Sequence, residues 1–324
     1  MIKSDLAPRL DYQYSLEAVR LLMKETLLES DELILAMMQH LTLGAGKNLR
    51  AMLLLVSAMD EDGFVSQDAV IAGAAVEILH LATLVHDDII DEAEIRRGNA
   101  SLQRKFGKKE AVICGDYLFC VAIAMVAEIS NRYPEKLKEF TQAMTKICLG
   151  ELRQFKHNSD TDLSVLNYLK IIAGKTSALF SLAMYSGAII NGNSDKEARF
   201  MGRIGHNMGL AFQILDDCAD YQSDVEVTKK SVKHDLAEEV ITLPLIFAFL
   251  KKPELKQQIR KQQLSVVEIN EIIAEVVNVG GVSMAHDVAE KYYLKTKKMI
   301  DTLPNQHQRL LMGQILGRIW KVEN

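Results

Sequence analysis

The chain has 324 residues, 48% of them hydrophobic, and its 38 basic and 43 acidic side chains leave a net charge of −5. This length allows a large buried core, and the mild acidity excludes the basic surface that a nucleic-acid partner requires. The N-terminal residues lack the apolar core of a signal peptide, and the longest uncharged stretch, residues 176–194, is interrupted by polar side chains. We therefore expect no membrane span, and four cysteines without metal-ligand spacing predict reduced thiols in a cytoplasmic protein.

Apolar residues recur at spacings of three and four along nearly the whole chain, as in Ile269, Ile272, Ile273 and Val276. This is the period of an α-helix rather than of a strand, and no run of alternating β-branched residues competes with it. The pattern predicts an all-α protein of about a dozen helices. No linker rich in serine, glycine or proline divides the chain, so residues 1–324 are predicted to form one domain.

The first segment with chemical information is Gly46-Lys47-Asn48-Leu49-Arg50. Lys47 and Arg50 are three residues apart, and we expect them to lie on one helical face after a glycine-containing turn. Both residue types bind phosphate oxygens, arginine through a bidentate pair of hydrogen bonds. Taken singly, such a pair is more typical of a solvated surface than of a binding site.

Farther along the chain, Asp87, Asp88 and Asp91 form the pattern Asp-Asp-x-x-Asp at the end of an apolar run. Residues four apart share a helical face, so Asp87 and Asp91 are predicted to lie side by side. Their repulsion costs about 0.2–0.5 kcal/mol on an exposed helix, and a bound cation offsets it. Carboxylate oxygens suit Mg²⁺, which also keeps several waters and binds substrate phosphates.

The same pattern returns at Asp216, Asp217 and Asp220, again after an apolar run. One such motif alone is more often a solvated acidic face, but two motifs of identical form favour magnesium binding. A di-iron helical bundle is an alternative, because Glu77 and His80 have the Glu-x-x-His spacing. That site needs a second motif of this kind, and none of the other histidines supplies one.

Further cations alternate with the acidic motifs. Arg96 and Arg97 follow the first motif, Lys175 stands at the predicted start of an apolar helix, and Lys230 follows the second motif. A diphosphate that completes the coordination of Mg²⁺ needs cations of this kind. Their order along the chain, rather than any one of them, predicts a diphosphate site.

These motifs resemble those of the trans-isoprenyl diphosphate synthases, all-α enzymes that extend allylic diphosphates with isopentenyl diphosphate. The resemblance spans nearly the whole chain and implies a single large helical bundle of the isoprenoid synthase type with a central active-site cavity. The matching blocks are Gly46-Lys47-x-x-Arg50, Glu77-x-x-His80 through Asp91, Arg96-Arg97-Gly98, Gly115-Asp116-Tyr117-Leu118, Gly150-Glu151-x-x-Gln154, Gly174-Lys175-Thr176, Phe212-Gln213-x-x-Asp216-Asp217-x-x-Asp220, Asp235-Leu236 and Thr242-Leu243-Pro244-Leu245.

The resemblance also implies roles for individual residues and a cofactor of three Mg²⁺ ions. The implied metal ligands are Asp87, Asp91 and Asp216, supported by Asp88, Asp217 and Asp220. The implied contacts of the allylic diphosphate are Arg96, Lys175, Thr176, Gln213 and Lys230. The implied contacts of isopentenyl diphosphate are Lys47, Arg50, His80 and Arg97. The residues on which catalysis is expected to depend are Asp87, Asp88, Asp91, Lys175 and Asp216.

Two blocks depart from the usual pattern of the family. Asn48 and Ala51 stand where arginine and proline are usual, and Val240 stands where lysine is common. We expect Asn48 to remove one cation from the diphosphate site, and Lys230 to act without a second lysine near position 240. Neither change touches the metal carboxylates.

The expected mechanism is ionisation of the allylic diphosphate, attack by isopentenyl diphosphate and loss of a proton to the diphosphate. Ala82 and Thr83 precede Asp87 by five and four residues, and both are small. Short-chain members of the family usually carry a bulky aromatic residue there, so we predict a path past Leu79 and Val76. The product is then a C30–C40 chain, such as the precursor of a quinone side chain.

Several alternatives stay open at this point. The enzyme could make a C15–C20 product, or it could be a subunit that is active only with a small dissimilar partner. A terpene cyclase and a non-catalytic helical scaffold are less favoured, because both aspartate motifs are intact. A homodimer is expected from the resemblance, and residues 118–126 could form its interface, although core packing explains them equally well.

Overall fold

The structure, a computed structural model, describes residues 9–43, 46–133, 135–222, 240–259 and 264–322. Within these ranges the chain is helical apart from turns and one short β-hairpin, which confirms the predicted all-α class. The helices are α1 Tyr12–Leu28, α2 Glu32–Leu41, α3 Leu49–Ser57, α4 Gln67–Ile90, α5 Leu102–Phe106, α6 Lys108–Ser130, α7 Glu135–His157, α8 Val165–Ile172, α9 Ala178–Ile190, α10 Asp195–Gln222, α11 Leu243–Lys251, α12 Leu255–Ile259, α13 Val266–Asn278, α14 Gly281–Asp301 and α15 Gln306–Val322. A π-helical turn, Ala173–Ser177, joins α8 to α9, and the antiparallel hairpin pairs β1 Ile95–Arg96 with β2 Asn99–Ala100.

Short polar residues determine where several helices begin. Asp11 accepts hydrogen bonds from the second and third backbone N–H groups of α1, and Asp31 accepts one from α2. Ser164 does the same for α8. Ser265 and Glu268 form a reciprocal capping box at α13. These side chains satisfy backbone donors that have no partner inside a helix, so the helix starts are encoded locally.

The chain divides into two compact units. Unit 1 comprises residues 1–141, 182–202 and 304–311, and unit 2 comprises residues 142–181, 203–303 and 312–324. The first aspartate motif belongs to unit 1 and the second to unit 2. That residues 1–324 form a single domain stays a prediction.

Helix α4 forms the centre of unit 1, where it packs against α1, α3 and α6. Its residues from Ala72 to Leu79 are all buried, which requires neighbours on every side. The last turns of α3 supply Leu53 to Leu55, which have no exposed surface. The hydroxyl of Ser57 donates to the carbonyl of Met184 at 2.6 Å, so α9 is joined to α3 by a buried hydrogen bond.

In unit 2, α11 packs against α14, and the C-terminal half of α10 lies against the segment that leads into α9. Phe180 and Phe212 contact each other with ring centroids 5.6 Å apart. The hydroxyls of Tyr221 and Thr242 are 3.1 Å apart and connect α10 to the start of α11. Unit 2 therefore has its own apolar core beneath the second aspartate motif.

Two helices of the described chain, α4 and α6, are long and apolar enough to cross a membrane when only length and composition are considered. The pair Val267–Asn278 and Gly281–Asp301 also passes when it is taken as one span bent by 57°. In α4, 67% of the most apolar window is buried inside the protein, so the core accounts for most of its apolar character. The corresponding share in α6 is 39%. Composition alone therefore does not support the expectation that the chain lacks a candidate span.

Candidate active site

The first aspartate motif lies at the C-terminal end of α4. The N–H of Asp91 donates to the carbonyl of Asp87 at 2.8 Å, so the helical spacing reaches Asp91 and the two half-buried residues are neighbours, as predicted. The chain then leaves the helix through a Schellman turn. Ala93 N–H donates to Asp88 O at 2.9 Å, and Glu92 has the left-handed φ of 49° that this turn requires.

Asp88, between these two, is buried and faces a different partner. Arg96 places Nε 2.7 Å and Nη2 2.5 Å from the same carboxylate oxygen, Oδ1. Burial raises the pKa of the Asp88 carboxyl, although Arg96 acts in the opposite direction. The side-chain amide of Gln103 donates to the backbone carbonyls of Asp88 and Ala93, at 2.5 and 3.0 Å. Asp88 therefore anchors the end of α4 to the following hairpin.

That hairpin carries both arginines of the Arg96-Arg97-Gly98 block. Arg97 and Gly98 form its two-residue turn, and both have left-handed backbones, with φ of 50° and 80°. The twist of such a turn suits a tight hairpin, but a left-handed arginine is strained by on the order of 1 kcal/mol. The hydroxyl of Ser101 donates to Ala93 O at 2.6 Å and closes the loop behind the hairpin.

The N-terminus of α3 carries the cations Lys47 and Arg50. Asn48 precedes the helix with φ 49° and ψ 38°, so Lys47 lies outside α3 and the prediction that it shares a helical face with Arg50 is wrong. Asparagine is one of the few residues that tolerate this conformation, which gives a backbone reason for Asn48. The buried carboxylate of Glu77 accepts the N–H of Ala51 at 2.8 Å and that of Arg50.

His80 lies one turn beyond Glu77 on α4. Burial and the positive charges of Arg50, Arg97 and Arg96 lower the pKa of His80 well below its usual value. The imidazole is therefore neutral at neutral pH. Because three predicted substrate-binding arginines all act on it, the fold brings these four residues together in unit 1.

One group near this motif was not singled out from the sequence. His86 stacks on Phe119 at 5.3 Å between ring centroids, and its Nε2 lies 3.3 Å from Oδ1 of Asp116. A Cβ on Gly115 would lie 2.4 Å from that nitrogen, so glycine makes room for the ring. The matching Gly115-Asp116 block was visible in the sequence, but its partner on α4 was not.

The second motif lies near the end of α10, in unit 2. Asp216 is exposed and Asp220 is half-buried, whereas Asp217 is buried. Gln213 Nε2 donates to Asp217 Oδ1 at 2.9 Å, and the hydroxyl of Tyr168 donates to Oδ2 at 2.6 Å. Both oxygens of Asp217 thus accept hydrogen bonds from neutral groups inside the protein.

Gln213 is held at both ends of its side-chain amide. Its Oε1 accepts the hydroxyl proton of Thr176 at 2.6 Å, and its Nε2 donates to Asp217. A carboxylate only accepts, so the NH₂ group must face Asp217 and the amide oxygen must face Thr176. The three predicted site residues Thr176, Gln213 and Asp217 therefore form one connected network.

Lys175 and Thr176 lie in the π-helical turn. The prediction that Lys175 stands at the start of a regular helix is therefore wrong. Turns of this kind often mark functional sites. Gly150 of α7 lies against the turn, and a Cβ there would be 2.4 Å from the backbone nitrogen of Lys175. Because α7 and the turn are so close, Lys175 forms an ion pair with Glu151, with 3.1 Å between Nζ and Oε2.

Binding of Mg²⁺ by the two aspartate motifs does not require a complete set of protein ligands. In the part of the chain that the structure describes, no three side chains of His, Cys, Asp or Glu lie together as a complete metal site. Mg²⁺ usually takes one or two carboxylates and fills its octahedron with water and substrate phosphate. Asp87 and Asp91 are neighbours on α4 and Asp216 and Asp220 both lie on α10, so each pair could supply such carboxylates, and their metal role stays a prediction. Lys230 lies outside the described residues.

Comparison with known proteins identifies the class. Residues 31–276 match the family model described as polyprenyl synthetase. Heptaprenyl diphosphate synthase component 2 of Bacillus subtilis is 31% identical over 87% of this chain and 80% of its own. A geranylgeranyl pyrophosphate synthase from Lactobacillus brevis superimposes with a TM-score of 0.87 at 30% identity, over 95% of this chain and 96% of that one.

A polyprenyl synthase from Caulobacter crescentus, complexed with calcium and isoprenyl diphosphate, has a TM-score of 0.88 at 27% identity, over 96% and 95% of the two chains. A structural neighbour of this protein thus holds a divalent metal and a substrate of the predicted class. The isoprenoid synthase fold and these motifs define a prenyltransferase. The chain belongs to the polyprenyl synthetase family, the trans-isoprenyl diphosphate synthases.

Proposed function

We propose that this prenyltransferase extends an allylic diphosphate by 1′-4 trans condensation with isopentenyl diphosphate to a C30–C40 product. The observation that carries this proposal is the shared plan of the two aspartate motifs. In each motif the second aspartate is buried and bonded within the protein, and the outer aspartates are more accessible. Asp87, Asp91 and Asp216 are the proposed ligands of the three predicted Mg²⁺ ions.

The metal and the cations act on the leaving group. When bound, Mg²⁺ stabilises the negative charge that develops on the departing diphosphate. Lys175, which the π-helical turn and Glu151 orient, binds diphosphate oxygens. Thr176 and Gln213 lie beside it, and the backbone carbonyls of the turn stabilise the allylic cation. Arg96 also binds the allylic diphosphate, through the guanidinium N–H groups that do not donate to Asp88. The contact of Lys230 with the same diphosphate stays a prediction.

Isopentenyl diphosphate binds to the cations of unit 1. The backbone N–H of Arg50, in the first turn of α3, donates to the carboxylate of Glu77, and Arg97 lies in the left-handed turn of the hairpin. His80, neutral beside them, donates a hydrogen bond without adding charge. Lys47 completes the set from the loop before α3. The diphosphate of the first substrate accepts the proton that the condensation releases.

Chain length is proposed to depend on Thr83, one turn before Asp87 on the same face of α4. Thr83 is half-buried and its hydroxyl donates to His80 O at 2.8 Å, whereas Ala82 has no exposed surface in unit 1. A small residue here leaves space for a longer chain. A heptaprenyl synthase component among the relatives supports a long product. The geranylgeranyl synthase among the neighbours favours the C20 alternative.

The second subunit of the expected homodimer is proposed to contact the exposed side of α6. Leu118, Ala122 and Val126 are buried, so core packing accounts for the face that the sequence suggested. The opposite side of the helix exposes Ile113 and Cys120.

A cytoplasmic location is also proposed. The four free cysteines support it, because thiols stay reduced in that compartment.

The test uses the purified protein alone with Mg²⁺, farnesyl diphosphate and labelled isopentenyl diphosphate, followed by chromatographic sizing of the product. Products of C30–C40 are expected. A C15 or C20 product contradicts the chain length. Activity that appears only after a second protein is added identifies a dependent subunit, and conversion of the allylic substrate without isopentenyl diphosphate identifies a cyclase.

Substitution of Thr83 sharpens the same assay. Thr83→Phe is expected to shorten the product by one or more isoprene units. Ile71→Phe is the matched control, because Ile71 is also half-buried on α4 but lies about three turns before Thr83. Equal product lengths in Thr83→Phe and the unsubstituted protein would show that Thr83 does not border the growing chain.

A further inference from the structure

The second aspartate motif depends on a tyrosine that no sequence motif marks. Tyr168 of α8 is 3% exposed, and its hydroxyl donates to Asp217 Oδ2 at 2.6 Å. Burial and the neighbouring Asp217 carboxylate raise the pKa of Tyr168 well above its usual value, so the phenol keeps its proton and stays a donor. A short hydrogen bond from a buried hydroxyl to a carboxylate is among the stronger ones in proteins.

This hydrogen bond closes a loop around the π-helical turn. Tyr168 lies before the turn and Thr176 lies within it, yet both are tied to the same face of α10. Thr176 is connected through Gln213, which stands one turn before Asp217. Donors therefore hold Asp217 from both sides of the turn, and the carboxylate fixes the positions of both.

The carboxylates of the motif also differ in their exposure. Each oxygen of Asp217 already accepts a hydrogen bond at 2.9 Å or less. Asp216 and Asp220 lie on the more accessible sides of the same helix. If the tyrosine hydroxyl were absent, Oδ2 would lose the hydrogen bond from Tyr168, and Asp217 could turn toward solvent and release Gln213.

We propose that Tyr168 is a positioning residue that holds Asp217 as an internal acceptor, so that Gln213 and Thr176 are oriented toward the allylic diphosphate. This inference rests on the proposed function for the identity of the ligand. It gives Tyr168 no contact with substrate. It assigns Asp217 to the protein scaffold rather than to the metal.

The test compares Tyr168→Phe with Tyr185→Phe. Tyr185 is a fair control because it is also buried and donates to a carboxylate, Asp195, at 3.1 Å, but it lies in unit 1. Tyr168→Phe is expected to raise KM for farnesyl diphosphate about tenfold, as the loss of one such hydrogen bond predicts. KM for isopentenyl diphosphate stays within about twofold, and Tyr185→Phe changes neither constant.

A binding measurement separates this inference from the proposed function. The increase in Tm caused by Mg²⁺ with inorganic pyrophosphate is recorded for the unsubstituted protein and both variants. Tyr168→Phe is expected to need about tenfold more pyrophosphate for the same increase. If the protein fails to condense substrates but this difference is seen, the function is wrong and the positioning role stands.

Asp217→Ala supplies the second variant, because it removes both acceptor oxygens. If Tyr168 acts through Asp217, adding Tyr168→Phe to Asp217→Ala produces no further change in either measurement. Three results would overturn the inference: an unchanged pyrophosphate dependence in Tyr168→Phe, an equal rise of both KM values, or fully additive effects in the double variant.

Discussion

The two aspartate motifs have the same sequence pattern, and in each the second aspartate is buried, but the groups that hold it differ. In unit 1, Asp88 is bound by the guanidinium of Arg96, which stands only eight residues farther along the chain. In unit 2, Asp217 is bound by the neutral donors Tyr168 and Gln213, and Tyr168 is 49 residues away. An identical local pattern is thus stabilised once by charge and once by hydrogen bonds.

The structural features that position the two motifs also differ. The first motif depends on local backbone conformation, since Glu92 and Arg97 both adopt left-handed φ values in the segment that follows α4. The second depends on close helix packing, since Gly150 and Gly174 bring α7 against the π-helical turn. A nearby substitution should therefore act on the first motif through charge and turn geometry, and on the second through packing.

The largest effect is expected from Arg96→Gln. It leaves the buried Asp88 without its cation, and breaking such a pair costs on the order of 3 kcal/mol of unfolding free energy. Urea unfolding measures the loss. Adding Asp88→Asn should recover most of it, because the uncompensated charge is then gone. A loss below about 1 kcal/mol for Arg96→Gln would show that solvent stabilises Asp88 as well as arginine does.

A pair of glycine substitutions compares the packing around each motif. A new Cβ lies 2.4 Å from a neighbouring atom in both cases, the backbone nitrogen of Lys175 for Gly150→Ala and the ring of His86 for Gly115→Ala. Overpacking costs about 1–3 kcal/mol, and a side chain yields more easily than a backbone. Thermal unfolding should therefore show the larger loss for Gly150→Ala. Equal losses of stability in the two variants would show that the second motif does not depend more on close packing than the first.

Neutralising the two buried aspartates should give a smaller difference in the same direction, with the larger loss again at the second motif. Asp217→Asn places an NH₂ group where donors already point, so it should cost about 1–3 kcal/mol. Asp88→Asn should cost less, because the side chain of Arg96 is 40% exposed and water can solvate it. Both are measured by urea unfolding at neutral pH. A larger loss for Asp88→Asn would mean that the charged pair is the more tightly coupled of the two.

The smallest effect is a dependence of stability on pH. Burial lowers the pKa of His80 in unit 1 and of His206 in unit 2, so below about pH 6.5 the unfolded chain binds protons that the folded protein does not. The free energy of unfolding therefore falls as the pH drops from about 6.5 toward the folded pKa values. His80→Gln should reduce this fall more than His206→Gln, since the pKa of His80 is lowered further.

Urea midpoints between pH 7.5 and 5.5 test this prediction. Each pKa unit is equivalent to about 1.4 kcal/mol, so the separate contributions are measurable. His307→Gln is the control, because that side chain is exposed. If His80→Gln left the fall unchanged, burial and the neighbouring arginines would not be lowering the pKa of His80 in the folded protein.

The spacing within the aspartate motifs could be predicted because residues four apart in a helix share a face, and Asp87 does lie beside Asp91. The roles of the carboxylates, the arginines and the Lys175-Thr176 pair stay predictions. Tyr168 was not recognised, because an aromatic residue in an apolar helical run looks the same whether or not its hydroxyl has a buried partner. Lys47 was misplaced because the left-handed Asn48 delays the start of α3. Ala82 and Thr83 were treated alike, although only Thr83 is accessible.

By itself the sequence determined the helices, their caps and the two aspartate patterns, since these depend on contacts between residues a few positions apart. The tertiary structure decided which aspartate in each pattern is buried, which donor holds it, and where a regular helix gives way to a π-helical turn. The physical reason is that burial and hydrogen-bond partners arise from segments distant in the chain. Identical patterns therefore leave open whether a guanidinium or a phenol will meet them.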